Sequence, residues 1–129
     1  MIVYIDIDET ICTHPEGDKD KPRDYSLAKP IVGNIRKENA LYDAGHTVVY
    51  WTARGATTGI DHRELTEAQL DEWGAKRHEL KLDKPFYDWF IDDSTVHNYF
   101  ELRNLLKYPK LSQTNFQINV ENKNIRFII

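Results

Sequence analysis

The stretch Ile2-Val3-Tyr4-Ile5-Asp6-Ile7-Asp8-Glu9-Thr10 constrains this chain more than any other. Residues Ile2 to Ile5 and Ile7 are β-branched or aromatic with no clean polar alternation, the pattern of a strand buried on both faces. Such a strand does not end in two carboxylates unless something is there to hold them. Side chains of an extended chain repeat every two positions, so Asp6 and Asp8 fall on the same side. Two carboxylates aimed into one small volume repel, and one takes up a proton unless a cation sits between them. A hard divalent ion with oxygen ligands, Mg²⁺ above all, meets that need. The alternative is a strand that leaves the core and turns polar at its tip. A second acidic cluster has to decide between them.

The chain has 129 residues, enough for one domain with a real core and too few for two. Its net charge of −4 speaks against a nucleic-acid partner, whose footprint is a basic patch or stripe. A single cysteine, Cys12, rules out an internal disulfide framework and a thiolate metal cluster. No apolar run approaches the ~20 residues of a membrane span, so no membrane partner is expected. Asp6 comes so early that no cleaved leader is expected either, and a cytoplasmic location follows.

Beyond Thr10, residues Cys12 to Lys29 are rich in charge, Pro and Gly, and read as a solvated loop directly after the strand tip. A loop at that place either shapes a site or is a surface excursion. Pro30 suits the first turn of a helix whose apolar face carries Ile31, Ile35 and Tyr42, with Gly45 placed to end it. His46 to Trp51 reads as a second buried strand, tipped by Thr52-Ala53-Arg54-Gly55. The next helix is expected from Thr66, with Thr66 and Gln69 as a capping box, to about Leu80. Leu82 to Pro85 is a connector, and Phe86 to Ile91 contains a third strand whose tip carries Asp92 and Asp93. A shorter helix spans roughly Val96 to Leu106. In the tail, Phe116, Ile118 and Val120 alternate with polar residues, and a turn precedes Ile125 to Ile129, which is a hairpin pattern.

Strands separated by helices predict an α/β domain with a parallel sheet. Crossover helices put the C-terminal tips of parallel strands on one edge, where ligands bind in open sheets. Asp6 and Asp8, Thr52, and Asp92 with Asp93 would share that edge, and this convergence favours a functional site.

D-x-D-x-T at Asp6 to Thr10, Thr52 at a strand tip, Lys84, and Asp92-Asp93 after an apolar strand resemble, in order, the four motifs of the haloacid dehalogenase superfamily of phosphohydrolases. The resemblance covers roughly residues 1 to 106. It implies a three-layer, Rossmann-like parallel sheet within a single domain, 1–129, with 107–129 as a C-terminal β-hairpin extension. Too few residues separate Thr10 from Pro30, and Arg54 from Lys84, for a cap domain, so a capless member is expected.

By the same resemblance Asp6 is the nucleophile that forms an aspartyl-phosphate, and Asp8 is the general acid and then the general base. Mg²⁺ is held by Asp6, the backbone carbonyl of Asp8, and Asp92, while Asp93 orients a metal-bound water. Thr10, Thr52 and Lys84 are phosphate ligands, and backbone N–H groups of Glu9 and Ala53 hold the transferring oxygens. Thr10 also suits a turn cap. Arg54 either contacts substrate or ion-pairs, and His14 lies in the loop over the site. The other histidines, and Trp51, Trp73 and Trp89, are read as structural. Glu9 stands where the superfamily most commonly has Gly, and Lys84 lacks the frequent preceding Gly.

The function implied is a Mg²⁺-dependent phosphomonoesterase acting on a small phosphorylated metabolite. The chain is similar to short capless phosphatases of capsule and surface-polysaccharide biosynthesis, which makes a sugar phosphate the expected substrate class. Arg23-Asp24-Tyr25 and Ile91-Asp92-Asp93 also resemble the 3′-phosphatase domain of polynucleotide kinase, which net acidity disfavours. A third reading is a catalytically silent phosphate-binding module. The apolar faces of the tail either complete their own domain or join chains in a homo-oligomer that partly covers the site.

Overall fold

Three apolar segments lie side by side in the N-terminal part of the protein. A computed structural model describes residues 1–87 in full, together with the backbone of two strands in 117–128. In chain order the elements are β1 (Ile2–Ile5), β2 (Cys12–Thr13), a 3-10 turn (Tyr25–Leu27), β3 (Lys29–Pro30), α1 (Val32–Asp43), β4 (Thr47–Trp51), α2 (Arg63–Glu72) and β5 (Glu79–Lys81). β6 (Gln117–Glu121) and β7 (Asn124–Ile128) follow. The chain forms two units, Met1–Phe86 and Tyr87–Ile129.

In the first unit β1, β4 and β5 form a parallel sheet in that order, with α1 and α2 as crossovers. This is the α/β architecture expected from strands alternating with helices. Ile5 pairs with Tyr50, which pairs in turn with Leu80, so the strands end nearly level. β4 is the central strand, and its Val48, Val49 and Tyr50 are all buried. Val48 and Tyr50 pack with Ile5, Ile7, Ile11, Ile35, Leu70 and Leu80 into one core. Each such side chain, fully removed from water, contributes about 1.5–3 kcal/mol.

Several expectations are corrected. β1 is buried on one face only: Ile5 points inward, while Ile2 and Tyr4 are 69% and 50% exposed. Pro30 opens no helix; it pairs with Cys12 in a two-stranded ribbon, and α1 begins at Val32. The segment from Cys12 to Lys29 is therefore clamped at both ends, and Cys12 itself is fully buried. α2 starts at Arg63 and ends at Glu72, well short of Leu80. Gly74, at φ +67°, adopts the left-handed turn that stops it, and Glu79–Lys81 then becomes a strand. Phe86 and Tyr87 are not in a strand. The remainder of the expected third strand, Asp92, Asp93 and the helix from Val96 to Leu106 lie outside the described residues.

In the second unit β6 and β7 pair antiparallel, Ile118 opposite Phe127 and Val120 opposite Ile125, as the alternation predicts. No helix among the described residues is long and apolar enough to cross a membrane.

Candidate active site at the strand tips

The chain leaves β1 at Asp6 and turns sharply. Amide groups of Thr10 and Ile11 both donate to the carbonyl of Ile7, and that of Glu9 donates to the carbonyl of Cys12. Glu9 takes φ +60°, a left-handed conformation uncommon outside glycine. Asn34 of α1 braces the turn by donating from Nδ2 to the carbonyl of Thr10 at 2.8 Å. Ile7 is fully buried between the two aspartates.

Asp6 and Asp8 each have their own cation. The Asp6 side chain, 41% exposed, lies with Oδ1 3.4 Å from Nζ of Lys84. Its Oδ2 accepts a long 3.5 Å hydrogen bond from the hydroxyl of Thr10. Lys84 reaches that place because the connector after β5 is tied down. Nε1 of Trp51 donates to Asp83 at 2.8 Å, and the Lys84 ammonium stands 5.6 Å over the same indole ring. Thr52, 1% exposed, follows β4 directly; its amide donates to the carbonyl of Lys81 and its hydroxyl accepts from the amide of Arg54. Ala53 lies between those two residues in the same turn. The structure thus brings Asp6, Thr10, Thr52 and Lys84 to one edge of the sheet.

Asp8 is gripped by Arg54, which is only 2% exposed. Nη2 donates to Oδ1 at 2.8 Å, and Nε approaches Oδ2 at 3.1 Å and Oδ1 at 3.3 Å. Of the two roles open to Arg54, the ion pair with Asp8 is the contact present, and the guanidinium is buried. His14, its side chain 4% exposed, sits between two carboxylates. Nε2 is 3.2 Å from Oδ1 of Asp8, and Nδ1 is 3.2 Å from Oε1 of Glu9. The Nε2 approach is at ion-pair distance but off the hydrogen-bond line, so this nitrogen completes no hydrogen bond. At the rim Arg23 lies 3.5 Å from Glu9, both partly exposed.

Asp8, Cys12 and His14 also bring three potential metal-ligand atoms within 4.8 Å of one another. Burial, and after it the charge of Asp8, pushes the Cys12 thiol up to about 12. A metal ion there would have to displace both the thiol proton and the Arg54 guanidinium that Asp8 and Cys12 already engage. Hard oxygen donors at Asp6 and the carbonyl of Asp8 suit Mg²⁺ instead. The Glu9 amide, expected to hold a transferring oxygen, is engaged by Cys12 in this structure.

Sequence reasoning missed Thr66, Gln69 and Tyr25. Thr66 and Gln69, read as a capping box, are buried inside α2 and both accept from Nη1 of Arg54. Their i,i+3 spacing, which places both on one helix face, was the available signal. Tyr25 lays its ring 4.6 Å from the Arg54 guanidinium carbon.

No protein-family model matches the chain, and no curated protein matches it. Among solved structures, a structural-genomics target from Vibrio cholerae is similar at a TM-score of 0.60 and 22% identity. The match covers 84% of this chain and 98% of that one, and it bears on the fold alone.

Proposed function

We propose that this chain is a capless phosphatase of the haloacid dehalogenase type, a Mg²⁺-dependent phosphomonoesterase that works through an aspartyl-phosphate on Asp6. The observation that carries the reading is the Asp6 carboxylate standing at the β1 tip between the Lys84 ammonium and the Thr10 hydroxyl, beside the parallel strand β4, which Thr52 directly follows. Strand-tip placement leaves Asp6 partly exposed, as an attacking carboxylate requires.

In the first half-reaction an Asp6 oxygen bonds to phosphorus and the bond to the leaving oxygen breaks. Asp8 gives its proton to that oxygen, releasing the alcohol. In the second, water attacks the phosphoryl group, Asp8 takes the water's proton, and the Asp6–phosphorus bond breaks to release phosphate. Lys84 and the hydroxyls of Thr10 and Thr52 hold the phosphoryl oxygens. By the resemblance, Asp6, the carbonyl of Asp8 and Asp92 would hold Mg²⁺, which when bound would offset the repulsion between carboxylate and phosphate. By the same resemblance Asp93 would orient a water at that site.

Two features support a small substrate. The segments 11–29 and 55–83 hold only a short ribbon, a 3-10 turn, α2 and β5, so neither carries a cap. The rim offers Glu9 beside Arg23, a pairing suited to sugar hydroxyls and unfavourable to a polyanionic strand. A sugar phosphate is therefore the proposed substrate class.

A phosphate-release screen over sugar phosphates, nucleotides and a 3′-phosphorylated oligonucleotide, with Mg²⁺ and with chelator, tests this. The expected result is metal-dependent release from sugar phosphates. Preference for the oligonucleotide would make the chain a polynucleotide 3′-phosphatase, and release from nothing would make it a silent phosphate-binding module.

A further inference from the structure

We infer that Arg54 is the residue that positions Asp8 for proton transfer, and that α2 holds Arg54 in place through Thr66 and Gln69. The inference rests on the phosphatase reading above and assigns Asp8 a working oxygen.

A guanidinium has five N–H donors in a fixed plane. All find acceptors here: Nε at Asp8, Nη2 at Oδ1 of Asp8 and at Cys12 Sγ (4.0 Å), and Nη1 at Thr66 Oγ1 (3.1 Å) and Gln69 Oε1 (2.7 Å). The acceptors are themselves oriented. Thr66 donates its hydroxyl to the carbonyl of His62 at 2.7 Å, which turns its lone pairs toward Arg54. Gln69 donates from Nε2 to the carbonyl of Tyr25 at 2.7 Å, which leaves Oε1 to accept. The Tyr25 ring covers one face of the guanidinium. Arg54 is thus held from α2, from the 3-10 turn and from below Asp8 at once.

The two Asp8 oxygens are not equivalent. Around Oδ1 gather Arg54 Nη2, His14 Nε2 and the Cys12 thiol. Among the described residues, Oδ2 accepts a hydrogen bond only from Nε of Arg54, at 3.1 Å. Protonation at Oδ2 costs that one contact and keeps the 2.8 Å bond to Oδ1. The same guanidinium therefore orients the acid and the carboxylate forms alike, which a group serving first as acid and then as base requires. Burying a charged pair is weak evidence of a stability role, because desolvation cancels most of the attraction. Precise orientation is what the network supplies, and misplacement of a catalytic group by about 1 Å costs on the order of 10²-fold in rate.

The test compares kcat/KM for an alkyl phosphate, whose leaving oxygen needs a proton, with that for 4-nitrophenyl phosphate, whose phenolate leaves without one. Arg54→Lys keeps the charge but cannot span both oxygens. It should lose about 10²-fold on the alkyl ester and less than about tenfold on the aryl ester. Thr66→Val should show a smaller loss with the same bias, and Thr66→Ser should restore it. Equal losses on both esters, or no loss, overturn the inference. Should Arg54→Lys fail to fold, the Thr66 pair decides by the same criterion. If the unmodified chain hydrolyses neither ester, the phosphatase reading itself has failed, an outcome distinct from equal losses.

Discussion

Beside Arg54 stands a position with room for no side chain. Gly55 has φ +85°, and a Cβ there would meet the backbone oxygen of Ile60 at 2.1 Å. The carbonyl of Gly55 also accepts from the amide of Gly59 at 2.8 Å, closing the turn that follows Thr52. Gly55→Ala forces an unfavourable conformation and a backbone displacement, and should destabilise by at least about 2 kcal/mol. An unchanged denaturant midpoint would contradict this. A second residue-scale effect concerns alkali. Burial pushes the Tyr50 phenol up from 10.0 to about 12, reinforced by Glu38 and opposed by Arg77. The Cys12 thiol rises from 9.0 to about 12, chiefly by burial. Both groups are neutral when protonated, so the folded state keeps protons that the unfolded state releases. Their stabilisation is fully present below pH 9.0 and is lost as pH rises through about 12. Denaturant midpoints should fall across that window, and a midpoint that stays constant or rises there would contradict the assignment.

Among the elements, β1 and β4 were legible because β-branched runs end abruptly in polar tips, and α1 because Ile35 and Tyr42 recur at helical spacing. β5 was not. Three residues, Glu79–Lys81, are too short for periodicity to register, and the helical pattern of α2 ran on across them. The left-handed Gly74 carried the boundary instead. The ribbon from Cys12 to Pro30 was hidden for a different reason. Its partners lie far apart in sequence, and Pro30 carries opposite meanings at a helix start and at a strand edge. At the site, Asp6 and Asp8 stood out by spacing, whereas the i,i+3 spacing of Thr66 and Gln69 puts them on one helix face without showing that Arg54 is what that face meets. The connector after β5 gives an element-scale prediction. The Trp51–Asp83 hydrogen bond fixes the segment that delivers Lys84. Asp83→Ala should lower kcat/KM about fivefold, the worth of about 1 kcal/mol, and leave the melting temperature nearly unchanged. A large fall in melting temperature with unaltered kinetics would show that the bond serves the fold alone.

On the scale of the whole chain, a parallel sheet gathers at one edge groups that lie far apart in sequence: Asp6 and Asp8 after β1, Thr52 and Arg54 after β4, Lys84 after β5. Asp8 engages Arg54, so Lys84 is the side-chain cation at Asp6 among the described residues. The proposed substrate, a compact phosphate ester rather than a nucleic-acid strand, is in keeping with a net charge of −4. The central claim is that Asp6 is the nucleophile. Its most direct test is acid-quenched peptide mapping of the chain during turnover of a sugar phosphate with Mg²⁺, run beside Asp6→Asn checked by mass for deamidation. A phosphorylated Asp6 is expected in the unmodified chain, and in Asp6→Asn neither phosphoryl label nor turnover at an unchanged melting temperature. Continued phosphate release by pure Asp6→Asn, or a label on another residue, would contradict it.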